Sequence, residues 1–195
     1  MPWASGGSPC SATRAAARTS SPAPPCSATG VRAAVSVSGP APYAAGEFDW
    51  FAGMYPGGAA ELRAAHQSRA ALEACLESGV FDPGMFTAED HAALAGDWAW
   101  LAGVAGRAIE QGPAGLIDDD LAYTRLWGFS VTVITVPALL VHGTADRIVP
   151  SSHARWLARG MPHAELRLSS GDGHISVLRA ADEAVGWLAE QAGGR

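Results

Sequence analysis

The run Val136-Pro137-Ala138-Leu139-Leu140-Val141-His142-Gly143 constrains this chain more than any other feature. It is apolar at consecutive positions rather than alternate ones, so both of its faces need cover once it is pleated. Its length suits a strand better than a helix, and glycine punctuates its end. Pro137 stands at the first turn of pairing, where a strand tolerates a missing donor. The expectation is a buried parallel strand with helices on either side.

The rest of the chain supplies matching parts. Val31-Arg32-Ala33-Ala34-Val35-Ser36-Val37-Ser38-Gly39-Pro40 reads as a second short central strand, ended by Gly and Pro. Residues 59 to 78 carry helical spacing through Ala59, Leu62, Ala65, Ala70, Leu72 and Leu76, and stop at Gly79. Thr87 and Asp90 form an N-terminal capping pair, after which Ala92 to Ile109 continues as a helix weakened by Gly96, Gly103 and Gly106. Ser151 and Ser152 cap a helix through Arg159, Leu166-Arg167-Leu168 alternates as a short strand, and Ser176 to Gln191 closes as an amphipathic helix. Strand, helix, strand, helix in that order means an α/β class with a parallel sheet.

Composition bounds the rest. A chain of 195 residues with 48% hydrophobic residues can bury a real core. A formal charge of -6 and 13 scattered Lys and Arg leave no basic face for phosphates, which argues against a nucleic-acid partner. No apolar run reaches the ~18 to 20 residues that cross a bilayer, and the start lacks a signal-peptide core, so no membrane partner and a cytoplasmic location are expected. Cys10, Cys26 and Cys75 fit neither a metal knuckle nor a disulfide framework. Residues 1 to 30 contain no Leu, Ile, Val, Phe, Asp, Glu or Lys and read as a poorly ordered or degraded segment that cannot offset its ordering entropy. The same composition is what GC-rich codons give out of frame, so a frameshift or misplaced start is a second explanation for it.

Chemistry concentrates in two loops. His142-Gly143-Thr144-Ala145-Asp146-Arg147-Ile148-Val149-Pro150 places an acid three residues beyond a glycine at a strand's carboxyl end, where open α/β sheets assemble their sites. His174 follows 28 residues after Asp146, in the glycine-rich turn Gly171-Asp172-Gly173-His174 behind the next strand. Consecutive parallel strands lie side by side, so the two loops become neighbours, and a carboxylate there can orient an imidazole. His142 reads as packed or solvent-facing, and His66, His91, His153 and His163 as surface residues. Asp118-Asp119-Asp120 reads as a solvated loop or helix start, and no metal site is expected. The aromatic set Phe48, Trp50, Phe51, Trp98, Trp100, Trp127 and Phe129 is expected in packing or around an apolar pocket.

The block from Val136 to Leu178, with its H-G-x-x-D-x-x-V-P and G-x-G-H texts, resembles the acid-and-histidine half of the α/β-hydrolase family. Val31 to Pro40 resembles that family's strand after the nucleophile helix, and Phe48 to Phe129 its helical cap. Ile117-Asp118-Asp119-Asp120-Leu121-Ala122 and Trp127-Gly128-Phe129 are similar to the cap exit of a bacterial subgroup. The likeness covers roughly residues 31 to 190. It implies a partial α/β-hydrolase parallel sheet with a helical cap at about 48 to 130, Asp146 as catalytic acid, His174 as catalytic base, a serine nucleophile and no cofactor. It further implies acyl transfer to water from a small ester-like substrate.

The family's G-x-S-x-G elbow has its nearest counterpart in Trp3-Ala4-Ser5-Gly6-Gly7, which makes Ser5 the candidate nucleophile. Trp3 stands where a small residue lets the turn close, and Pro22, Pro24 and Pro25 interrupt the helix that should follow. Two readings therefore stand: a serine hydrolase, and a truncated, inactive fragment whose exposed sheet edge invites self-association.

Overall fold

The computed structural model describes residues 31–43, 48–79 and 81–193. Ser5, Cys10, Cys26 and the whole segment 1–30 lie outside the described residues. Three parallel strands, β1 (Ala34–Val37), β2 (Ala138–Gly143) and β3 (Ala164–Ser169), form one sheet in the order β1-β2-β3. Ala34 pairs with Ala138, and Ala138 with Ala164, so all three strands begin level and their carboxyl ends share one edge.

As expected from its unbroken apolar run, every residue of β2 is buried. Leu139 and Val141 pack on one face with Val177, Ala184 and Trp187, the last two from helix α7 (Ala181–Gly193). Leu140 packs on the other with Val131, Ala41 and Leu157 of helix α6 (Ser152–Gly160). A strand between two helical layers thus satisfies the period-one hydrophobicity that a one-sided sheet could not.

Between β1 and β2 lies a helical segment: α1 (Pro56–Gln67), α2 (Arg69–Ser78), α3 (Ala88–Ala95), α4 (Trp100–Ile109) and α5 (Ala114–Tyr123). The single helix expected over 59 to 78 is two, because Ser68 is fully extended (φ -171°, ψ 164°) and its hydroxyl accepts from Ala71 N–H to cap α2. The weak helix expected to run on to Ile109 also divides, at Gly96. Its capping box is present as read, with Thr87 Oγ1 accepting from Asp90 N–H and the Asp90 carboxylate from Thr87 N–H. Ser151 and Ser152 do not cap α6 through their side chains, and the first turn of the expected closing helix is a 3-10 turn, Ser176–Ala180. β1 ends at Val37, short of the expected Pro40, where Ser38 turns the chain with φ 52°.

The helical segment packs on the carboxyl edge of the sheet. Met85, Phe86 and Leu101 cluster with Ile148, Val149 and Ile175, which belong to the loops after β2 and β3. Tyr55 N–H donates to the Arg147 carbonyl at 2.6 Å, and Arg147 reaches the Gly84 carbonyl at 3.0 Å. No helix among the described residues is long and apolar enough to cross a membrane.

Candidate active site

Gly143 ends β2 against the next loop: a Cβ there would lie 2.3 Å from the Asp172 carbonyl oxygen and 2.5 Å from that of Gly173. Only glycine admits this approach. It lets Thr144 N–H reach the Ser169 carbonyl and Ala145 N–H the Asp172 carbonyl, both at 2.9 Å. The loops after β2 and β3 are thereby stitched together at the backbone.

Asp146 and His174 meet at this seam. Asp146 Oδ1 accepts from Ile148 N–H and Val149 N–H at 2.9 Å each, which fixes the carboxylate plane. Its Oδ2 lies 2.8 Å from His174 Nδ1. Both residues are buried, Asp146 to 4% and His174 to 3% exposure. Burial alone would raise the Asp146 carboxyl, but the charge and hydrogen bonds of His174 and His142 outweigh it and hold the group below the ordinary carboxylate range. An ionised carboxylate only accepts, so His174 Nδ1 carries a proton, and Nε2 is the acceptor nitrogen whenever the ring is neutral.

Three side chains that sequence reasoning did not place belong to this region. His142 takes the packed of its two expected places, and its partners are what the sequence did not show: it is 1% exposed, donates from Nε2 to the Val149 carbonyl at 2.7 Å, and lies 3.4 Å from Asp146 Oδ2. His153, expected at the surface, is fully buried. Its Nδ1 accepts from Ala41 N–H at 3.1 Å, its Nε2 donates to the Trp50 carbonyl at 2.9 Å, and Phe48 and Trp50 present their rings edge-on to it. Burial, reinforced by the neighbouring His142, lowers it to about 4, against the opposing pull of the Trp50 carbonyl and Asp146. Asp90, read only as a cap, is 1% exposed and holds the loop of His174. His66, His91 and His163 are exposed as expected.

Other expectations need correction. Asp118 to Asp120 lie in the body of α5, not at a helix start or in a loop; Asp120 is buried there, whereas Asp118 pairs with Arg69. No group of three or more His, Cys, Asp or Glu among the described residues is arranged to hold a metal ion. Of the aromatic set, Trp50 is core, while Trp100 and Phe129 are 57% and 47% exposed. Trp127 and Phe129 border a groove beside β1 rather than the Asp146–His174 pair.

No protein-family model and no curated protein matches the sequence. Solved structures do. An α/β-hydrolase enzyme from a Medee basin deep-sea metagenome library superposes with a TM-score of 0.51 at 15% identity, over 83% of this chain and 56% of that one. A thermophilic esterase from Thermogutta terrifontis (0.47, 13% identity, 82% and 56%) and a bromoperoxidase from Bacillus anthracis (0.45, 16% identity, 84% and 58%) are similar at lower scores. The described chain thus has an α/β-hydrolase fold in part, and it spans a little over half the length of these structures.

Proposed function

We propose that the chain is a serine-type hydrolase that transfers an acyl group from an ester or similarly activated small molecule to water. The observation that supports this most is the buried 2.8 Å contact between Asp146 Oδ2 and His174 Nδ1 at the carboxyl edge of adjacent parallel strands. In this reading the serine hydroxyl, assigned to Ser5, attacks the carbonyl carbon while His174 Nε2 takes its proton. Asp146 stabilises the imidazolium through the Nδ1–H bond. The imidazolium then protonates the leaving group, and a water activated by the same nitrogen releases the acid. Backbone amides hold the oxyanion. Chemistry of this kind calls for no cofactor, and a cytoplasmic location belongs to the same proposal.

A second reading, a catalytically inactive remnant, is favoured by the text around Ser5, where Trp3 stands at a position the elbow motif gives to a small residue and Pro22, Pro24 and Pro25 follow. Under it, the edge of β1 that is unpaired among the described residues leads to self-association. Hydrolysis of a nitrophenyl ester of a short-chain acid separates the two. The hydrolase reading expects turnover that falls roughly 10³- to 10⁴-fold in Asp146→Asn, His174→Ala and Ser5→Ala alike, since triad members act as a unit. Turnover that is absent, or indifferent to all three changes, supports the remnant.

A further inference from the structure

We propose that Asp90 is a positioning residue for His174: a carboxylate carried on the helical segment that gathers the backbone amides of the loop presenting the imidazole. The meaning of this for catalysis rests on the hydrolase reading; the anchoring itself does not.

Five donors converge on this one side chain. Oδ1 accepts from Ile175 N–H and Ser176 N–H, both at 2.8 Å, and from Ser176 Oγ at 3.0 Å. Oδ2 accepts from His174 N–H at 3.3 Å and from Thr87 N–H at 3.1 Å. Three of the amides open the 3-10 turn Ser176–Ala180, where Ile175, the residue at its N-cap, makes no side-chain cap of its own. First-turn amides have no partner within their own helix and cost free energy if buried unpaired. Asp90 provides the cap from 84 to 86 residues away.

The carboxylate is itself held in place. Thr87 Oγ1 accepts from Asp90 N–H at 3.1 Å, so the capping box of α3 sets the direction in which the side chain leaves the helix. Around its far end the loop is shaped to fit. A Cβ on Gly173 would lie 2.0 Å from Asp90 Oδ2, so the glycine there is required by this carboxylate. Gly173 N–H donates to Ser176 Oγ at 2.8 Å, and that hydroxyl donates onward to Asp90. An amide cannot replace the group: asparagine offers one acceptor oxygen, and its NH₂ would face N–H donors on whichever side it turned. Burial opposes the ionised form, but the amides of Ser176, Thr87 and Ile175 outweigh it and hold the carboxyl below its ordinary value.

His174 is therefore fixed at two points from two layers of the fold. Its ring is held by Asp146, which comes from the sheet, and its main chain by Asp90, which comes from the helical segment. A small displacement of a catalytic group is enough to cost about 100-fold in rate, so the seating of α3 controls the base.

The test is nuclear magnetic resonance on the full chain. In the unmodified protein, a through-hydrogen-bond coupling is expected between the Asp90 carboxyl carbon and the Ile175 and Ser176 amide nitrogens; its absence while those amides are ordered overturns the proposal. In Asp90→Asn, the low-field Nδ1 proton of His174 is expected to shift and broaden, as it does not for a purely structural change elsewhere in α3. A folded Asp90→Asn with an unaltered His174 signal also overturns it. Should that variant not fold, the coupling in the unmodified protein decides alone. If the ester assay shows turnover, kcat of Asp90→Asn falls about 10- to 100-fold with KM nearly unchanged. The two readings fail separately: His174→Ala without effect on turnover sinks the hydrolase, whereas the coupling and the Nδ1 signal judge Asp90 whether or not the chain is active.

Discussion

His153 and Asp146 show how burial acts on single titratable groups with opposite demands. The hydrogen bonds of His153 are satisfied only by a neutral ring with its proton on Nε2, since a second N–H on Nδ1 would face the Ala41 amide. Its folded pKa is about 4, below the unfolded value near 6.5. Between those values the unfolded chain binds a proton that the folded chain refuses, so the contribution is complete above pH ~6.5 and declines as the pH falls toward 4. The decline amounts to about 3 kcal/mol at 1.36 kcal/mol per unit. The His153 ring resonances should titrate near 4; a midpoint above 6 contradicts the buried site. Asp146 adds a loss in the same direction but lower on the scale. Its depressed folded pKa gives stability that is present above the unfolded carboxyl value of about 4 and is lost as the pH falls through the folded value. Neither behaviour was legible in sequence. A histidine in a helical text carries no local mark of what lies over it, and His153 meets Trp50 across 103 positions.

Among the elements, helix breaks and glycine contacts decide how the loops meet. Ser68→Ala removes the hydroxyl that caps α2 and should cost about 1 kcal/mol in a urea melt, with an unchanged denaturant slope. Gly143→Ala should cost more, about 1 to 3 kcal/mol, because the obstruction is backbone at 2.3 Å and the loop of His174 must move to admit the methyl. In the same melts Gly58→Ala serves as the counterpart: it sits in α1 with open space around it, and should gain up to ~1 kcal/mol from helix propensity. Equal effects at Gly143 and Gly58 would mean that the seam between the two loops is looser than its geometry. The strands and the capping box of α3 were readable because period, glycine and cap residues are local signals. The splits at Ser68 and Gly96 were not, because each helix turns where its neighbours pack, and the apolar spacing runs through both breaks.

At the scale of the molecule, a sheet of three strands has edges. β1 pairs only with β2 among the described residues, and a groove of 910 Å3 runs beside it past Leu126, Trp127 and Phe129. Leu126 is 81% exposed. Open edges and apolar surface of this kind favour pairing between chains, so light scattering should give a mass above the 20.0 kDa of one chain, reduced toward it by Leu126→Lys. A monomer with a cooperative melt is the contrary result. By itself, the sequence determined the α/β class, the parallel strands and the pairing of Asp146 with His174. The class and the strands follow from signals within a few residues, consecutive apolar positions and glycines at strand ends, and the pairing from an acid and a histidine 28 positions apart in successive loops of one sheet edge. Tertiary structure alone decided that His142 backs Asp146, that His153 is sealed beneath Trp50, and that Asp90 grips the loop of His174. Those roles depend on which atoms lie against a side chain after the layers close: His142 meets Asp146 only four positions on, but the fold of the loop decides it, and the contacts of Asp90 and His153 across 84 to 103 positions leave no pattern in the neighbouring text.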